Sequence, residues 1–259
     1  MILVCSNSTR KFFPEAEQVE LITCPADESL LEREATLDSV VAAGGGAVID
    51  AAKILAKNHI VCYPTTAAGS CATSHSVYWQ GFTKKSVKRF IPQETVVIKE
   101  FVEDLPPKVI AYTFYDAFSH CLDVLWSKQR NKESVSLVDE AMEVFKGTYS
   151  NADLVSAGNL AGQAIELCPT TLLHSLSYPL TGLYGIPHGK ALGFLLPIIC
   201  KYMNFDATSF ISRYPKVDLK DYNIDFRLVI DQAVKYNKIS KLEQEIDLEI
   251  ILGFLSKGD

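Results

Sequence analysis

The run from Val40 to Lys53, Val-Val-Ala-Ala-Gly-Gly-Gly-Ala-Val-Ile-Asp-Ala-Ala-Lys, constrains the fold more than any other part of this chain. Small and β-branched apolar residues lead into three glycines, and Val48, Ala51, Ala52 and Leu55 then recur at helical spacing within Ala47–Lys57. A strand that feeds a helix through a tight turn, with a second apolar run at Ile60–Tyr63, is the βαβ unit of a parallel sheet. Lacking Cβ atoms, Gly44, Gly45 and Gly46 let the backbone approach a pyrophosphate closely, and the first amides of the helix point the positive end of its dipole there. The run is not Gly-x-Gly-x-x-Gly, so on its own it fits both a phosphate site and a plain tight turn.

Ile2–Cys5, Val19–Cys24, Ser39–Ala43 and Thr95–Ile98 have the length and composition of further buried strands. Gln80–Gln93 is polar and basic (Lys84, Lys85, Lys88, Arg89) and reads as a loop or hairpin. After Pro106-Pro107 the period changes. Val135, Val138, Met142 and Phe145 share one helical face, as do Leu154, Gly158, Ala161 and Ile165, whose small members let helices pack closely. Phe226–Tyr236 and Lys241–Leu255 read as helices in a Lys- and Ile-rich tail. The expectation is an α/β parallel-sheet half over 1–105 and an all-helical half over 106–259.

Composition narrows the function classes. Among 259 residues, 48% are hydrophobic and 22% charged, which excludes wholesale disorder. A net charge of −6 gives no whole-chain footprint for nucleic acid. No apolar run approaches the roughly 18 residues of a membrane helix, and the first ten residues turn polar too soon for a secretory signal. The seven cysteines are scattered with no Cys-x-x-Cys pair, so a reduced, cytoplasmic protein without a disulfide framework is expected.

Three of the five histidines fall between 120 and 188. Asp116 and His120 stand at i and i+4, so on a helix they share a face. With His174 and His188 they make one carboxylate and three imidazoles, a first shell suited to Zn²⁺ or Fe²⁺. Taken singly, each also reads plainly: Asp116 as a helix-start carboxylate, His120 as a semi-buried histidine, His188 as a loop residue.

From Val40 to Pro197 these residues resemble the iron-containing (group III) alcohol dehydrogenases. Gly44-Gly45-Gly46-Ala47-x-x-Asp50-x-Ala52-Lys53 is similar to the family's triple-glycine NAD(P) motif, with Ala47 where Ser is usual. Pro64-Thr65-Thr66-Ala67-Ala68-Gly69-Ser70 is similar to its Pro-Thr-Thr-Ala-Gly-Thr-Gly-Ser-Glu loop, one residue shorter and with Cys71 in place of Glu. Asp116-Ala-Phe-Ser-His120, His174 and His188-Gly189 match the four metal-ligand positions. The resemblance implies a dehydroquinate synthase-like architecture, shortened at both ends, with a dinucleotide-binding domain at 1–105 and a metal-binding catalytic domain at 106–259. It implies cofactor contacts at Gly44, Gly45, Gly46, Ala47, Asp50, Thr65, Thr66 and Ser70, the nicotinamide lying near the two threonines. It also implies Fe²⁺ or Zn²⁺ on Asp116, His120, His174 and His188. Leu21-Ile22-Thr23-Cys24-Pro25 lacks the acid that holds the ribose 2′-OH, which leaves NAD(H) and NADP(H) both open.

Asp123-Val-Leu-Trp126-Ser127 and the stretch Leu173–Gly189 further resemble members that reduce phosphonoacetaldehyde or oxidise a sugar-acid terminal alcohol, in which Tyr stands where Tyr178 does. The implied reaction is metal-assisted hydride transfer between a nicotinamide cofactor and a small, anionic alcohol or aldehyde. The proton route then runs through Tyr178 or through water and the ribose hydroxyl, the implied anionic substrate gives Lys85 a purpose, and His75 is a further catalytic candidate. Two other readings stay open: a dehydroquinate synthase-like sugar-phosphate cyclase, and a degenerate member that binds metal and nucleotide without turnover. The expected partners are a small-molecule substrate and a second copy in a homodimer, as is common in the family, with neither nucleic acid nor membrane.

Overall fold

The computed structural model describes residues 2–147 and 149–257; Met1, Thr148, Gly258 and Asp259 lie outside the described residues. Its N-terminal part is built on strands β1 (Ile2–Cys5), β2 (Gln18–Leu21), β3 (Leu37–Gly44), β4 (Ala56–Pro64) and β7 (Glu94–Thr95), all parallel, in the order β2-β1-β3-β4-β7. Short helix α1 (Asn7–Arg10) follows β1, and α2 (Gly46–Leu55) joins β3 to β4. Leu3, Cys5, Val41 and Ala43 bury one face of the central strands, and Val4, Val40, Ala42 and Ile60 bury the other. That two-sided burial explains why β1, β3 and β4 read as continuous apolar runs rather than alternating ones. Every residue of α2 from Val48 to Leu55 is buried, including Lys53. The Lys53 ammonium donates to the carbonyls of Ser70 (2.9 Å), Thr73 (3.2 Å) and His75, with Asp50 3.5 Å away. A buried cation is tolerable only with such partners, and here it clamps the 70–75 segment onto the sheet.

The basic segment is a hairpin, with β5 (His75–Gln80) paired antiparallel to β6 (Thr83–Lys88). After α3 (Lys99–Val102) the described chain is helical: α4 (Pro107–Leu125), α5 (Lys132–Lys146), α6 (Asn151–Leu167), α7 (Leu172–Tyr184), α8 (His188–Tyr202), α9 (Thr208–Ile211), α10 (Phe226–Val234) and α11 (Leu248–Lys257). Pro107 opens α4 at a position where its missing N–H costs no hydrogen bond. The helical core gathers around α4, whose Phe114, Phe118, Cys121 and Leu122 are fully buried. Among the described residues no helix is long and apolar enough to cross a membrane.

Several boundaries differ from the sequence reading. Helix α2 gives way to β4 directly at Ala56, because the chain must turn at once to pair with β3. The strand expected at Thr95–Ile98 is only Glu94–Thr95, the sheet edge. Residues 242–247 are not helical: buried Leu242 bridges Ser127, and Glu243 donates its N–H to the Trp126 carbonyl (2.8 Å), pinning this stretch to the end of α4. Tertiary packing overrides local helix propensity there.

Candidate metal and nucleotide site

Helix α4 turns one polar stripe out of the helical core. Asp116, His120 and Asp123 stand at i, i+4 and i+7, one above the other. Asp123 is fully buried and caps α7: it accepts hydrogen bonds from Thr171 Oγ1 (2.9 Å), the Leu173 N–H (3.0 Å) and the His174 N–H (3.3 Å). Oδ2, the oxygen that takes the His174 N–H, also meets His174 Nδ1 at 2.8 Å, which fixes that ring and turns Nε2 toward Asp116. Gly185, in the left-handed region at φ 65°, ends α7, and the turn through Pro187 starts α8 with His188 facing back across α7.

The result is a convergence on one atom. Asp116 Oδ1 lies 3.3 Å from His174 Nε2, 3.6 Å from His120 Nε2 and 3.8 Å from His188 Nε2. The candidate donor atoms of Asp116, His120 and His174 also all lie within 4.8 Å of one another. The His120 and His174 rings stack with centroids 4.4 Å apart. Ligands about 2.1 Å from a shared ion lie at most about 4.2 Å apart, and the three separations from Asp116 fall inside that limit. One carboxylate and three imidazoles are also a donor set that Fe²⁺ and Zn²⁺ accept. The residues present therefore fit a divalent cation.

Protonation is consistent with that fit. Burial would raise the Asp116 carboxyl, but His120, the bond to His174 and His188 outweigh it and hold the group well below its usual range. Burial pushes His120 down to about 3, and burial together with Lys84 pushes His188 well below the usual imidazole value. Both therefore offer neutral lone pairs. His174 differs: burial opposes its charge, yet the bonds to Asp116 and Asp123 raise it to about 9, so a proton sits where an ion would compete for Nε2.

Tyr178, one turn after His174 on α7, is buried beside this cluster, its ring stacked on His188 with centroids 5.9 Å apart. Its hydroxyl accepts from Lys238 Nζ (3.1 Å) and lies 3.5 Å from Thr170 Oγ1, and Lys84 Nζ sits 4.4 Å from the ring centroid. Burial would raise the phenol, but Lys238, Lys84 and His174 outweigh it and bring it down to about 7.

The glycine turn lies where β3 and β4 end. Gly45 opens α2 with no side chain capping the first amides. A Cβ on Gly46 would come 3.0 Å from Ser70 Oγ, and one on Gly45 would come 3.2 Å from Thr66, so the 64–70 loop lies directly against the turn. The Thr65 N–H donates to the Gly44 carbonyl at 2.9 Å. Gly45, Gly46, Ala47, Thr66 and Ser70 remain partly accessible, while Thr65 is buried. The uncapped amides at the start of α2 and the short hydroxyls of Thr66 and Ser70 beside them are the donor types that a pyrophosphate accepts.

Three of the expected residues sit elsewhere. The Asp50 carboxylate is directed to Lys53 and the Val77 backbone beneath the hairpin, not to the glycine turn. His75 is half-exposed at the hairpin base, 3.4 Å from Ser74 Oγ and 3.9 Å from Glu166, away from the histidine cluster. Lys85 is exposed; side chains alternate along β6, so its neighbour Lys84 takes the inward place. The tip of the hairpin rests on α7 at Gly182, where any Cβ would overlap the Phe82 carbonyl oxygen. Sequence reasoning missed Asp123, Lys84 and Lys238 as site residues. Asp123 had a signal in its i+7 spacing from Asp116.

Residues 110–246 match the family model described as Fe-containing alcohol dehydrogenase family, C-terminal. The chain is 27% identical over 242 residues to 4-hydroxybutyrate dehydrogenase of Clostridium kluyveri, covering 78% of this chain and 63% of that one. It is 28% identical over 209 residues to phosphonoacetaldehyde reductase of Streptomyces viridochromogenes, covering 64% and 53%. The chain thus spans little more than half the length of the curated relatives it matches. In fold it is similar to the sulfoacetaldehyde reductase of Bifidobacterium kashiwanohense solved with NAD⁺, with a TM-score of 0.83, 21% identity, and coverage of 99% of this chain and 90% of that one.

Proposed function

We propose that this chain, which belongs to the iron-containing alcohol dehydrogenase family, catalyses reversible hydride transfer between a nicotinamide dinucleotide and a short, anionic alcohol or aldehyde. The observation that carries the reading is the meeting of three imidazole Nε2 atoms around Asp116 Oδ1 at 3.3, 3.6 and 3.8 Å. A divalent ion on Asp116, His120, His174 and His188 supplies Lewis acidity toward a substrate oxygen, while a bound nicotinamide supplies or accepts the hydride.

The chain's own residues do the rest. Asp123 holds His174 in the tautomer that leaves Nε2 for a ligand role. The amides after Gly45, with Thr66 and Ser70 opposite, bind the pyrophosphate. The Tyr178 hydroxyl gives a proton to the substrate oxygen in reduction and takes it back in oxidation. Its pKa near 7 suits both directions at neutral pH. The substrate class draws support from the relatives' names, since 4-hydroxybutyrate, phosphonoacetaldehyde and sulfoacetaldehyde are all short and carry an anion.

The test is purification without added metal, elemental analysis, reloading with Fe²⁺ or Zn²⁺, and NADH and NADPH oxidation across a panel of aldehydes. Turnover that requires the metal and disappears in His188→Ala is expected. Metal-independent turnover, or full activity in that variant, contradicts the proposal.

A further inference from the structure

Two lysines far apart in the chain reach the same aromatic ring. Lys84 arrives on β6, and Lys238 arrives on the turn after α10. Lys84 Nζ is 4.4 Å and Lys238 Nζ 5.1 Å from the Tyr178 ring centroid. Like charges brought together beside a buried site repel, so an arrangement of this kind calls for a counter-charge. Other cations of this protein do have one: Arg33 meets Glu20 at 2.7 Å, Lys57 meets Asp38 at 2.5 Å and Lys146 meets Glu143 at 2.6 Å. Among the described residues neither Lys84 nor Lys238 has a carboxylate oxygen within 4.0 Å. Lys238 instead donates to two hydroxyl oxygens, Thr170 Oγ1 at 2.7 Å and Tyr178 OH at 3.1 Å. Asp50 feels the charge of Lys84 but is paired with Lys53.

Both lysines are partly buried and built into place. The hairpin is seated on α7 through Gly182. The Tyr236 ring meets that of Tyr178 edge-on with centroids 5.0 Å apart. The pair stands one aromatic ring away from His188.

We infer that Lys84 and Lys238 form a two-ammonium seat for the anionic end of the substrate, a carboxylate, sulfonate or phosphonate carried a few carbons from the reacting oxygen. The catalytic part of this inference rests on the oxidoreductase reading above; the anion seat itself does not. Selection works through charge: an uncharged chain placed there leaves both ammoniums unanswered, whereas an anion accepts from both. The short span between the seat and His188 favours short substrates over long ones.

The test uses the metal- and cofactor-loaded protein with Lys84→Met, Lys238→Met, the double variant, and Lys84→Arg. The kinetic readout is the ratio of kcat/KM for succinic semialdehyde to that for pentanal, which cancels any general loss from disturbing Tyr178. Each Met variant is expected to lower the ratio about 10- to 100-fold, with Lys84→Arg largely retaining it. The second readout is the thermal shift produced by methylphosphonate against its uncharged dimethyl ester. Stabilisation by the dianion alone in the wild type, lost in the double variant, is expected. An unchanged substrate ratio, or equal stabilisation of wild type and double variant by methylphosphonate, overturns the seat. If the wild type reduces neither aldehyde, the oxidoreductase reading fails while the methylphosphonate shift still decides for or against the anion seat.

Discussion

Replacing Asp123 with asparagine keeps the shape of the side chain and removes its charge. In the native protein one carboxylate receives the Thr171 hydroxyl, the Leu173 and His174 backbone N–H groups and His174 Nδ1, all without contact with water. Alanine would strand every one of these donors at about 1–3 kcal/mol each, enough to threaten a fold whose whole stability is on the order of 5–15 kcal/mol. Asparagine is the more informative change. Its carbonyl can still receive Leu173 and Thr171, but its amide then points N–H groups at His174 Nδ1. The imidazole answers by taking the other tautomer, with Nδ1 accepting and the proton moved to Nε2, the atom needed toward Asp116. Metal affinity is expected to fall about 10–100-fold, while the metal-free protein loses only about 1–3 kcal/mol. Competition with a chelator of known affinity measures the first quantity, and denaturant unfolding of the metal-free protein the second. An Asp123→Asn protein that binds metal within twofold of wild type would refute the orienting role.

His174, held near 9 in the metal-free fold against about 6.5 unfolded, contributes stability that is fully present below about pH 6.5 and is lost as pH rises through 9. Metal uptake must displace that proton, so the apparent affinity should climb across the same window; proton release measured against pH during titration checks this. Lys53→Met leaves Asp50 without its cation and the carbonyls of Ser70, Thr73 and His75 without their donor, and should destabilise the protein by about 3–5 kcal/mol in thermal or urea unfolding. Gly182→Ala would favour an exposed helix by about 1 kcal/mol, but here the overlap with the Phe82 carbonyl dominates. The hairpin should lift from α7, lowering kcat/KM for anionic substrates while metal content stays at the wild-type level.

Much of the scaffold was legible because it rests on local rules. Continuous apolar runs mark β1, β3 and β4, and three glycines followed by an alanine-rich period mark α2. The i, i+4 spacing of Asp116 and His120 places them on one face of α4 before any coordinates are known. What was not legible depends on register and on distant packing. Lys84 and Lys85 are equivalent in sequence, and only the pairing of Trp79 with Lys84 and Tyr78 with Lys85 decides which of them faces Tyr178. Lys238 lies in a segment whose helix ends at Val234, and its reach to Thr170 follows from how α10 packs on α7. Asp50 sits in a motif that points to a nucleotide, yet the demand of a buried Lys53 and the Val77 backbone claims its carboxylate.

The most direct measurement is metal stoichiometry by elemental analysis after equilibration with Fe²⁺ or Zn²⁺ and removal of excess ion, on wild type, Asp116→Ala and His120→Ala. The account predicts one equivalent in the wild type and almost none in either variant, with the variants still folded by circular dichroism. Folded variants that retain a full equivalent would mean that the ion binds elsewhere, and that Asp116 Oδ1 is not the point on which the three imidazoles converge for metal.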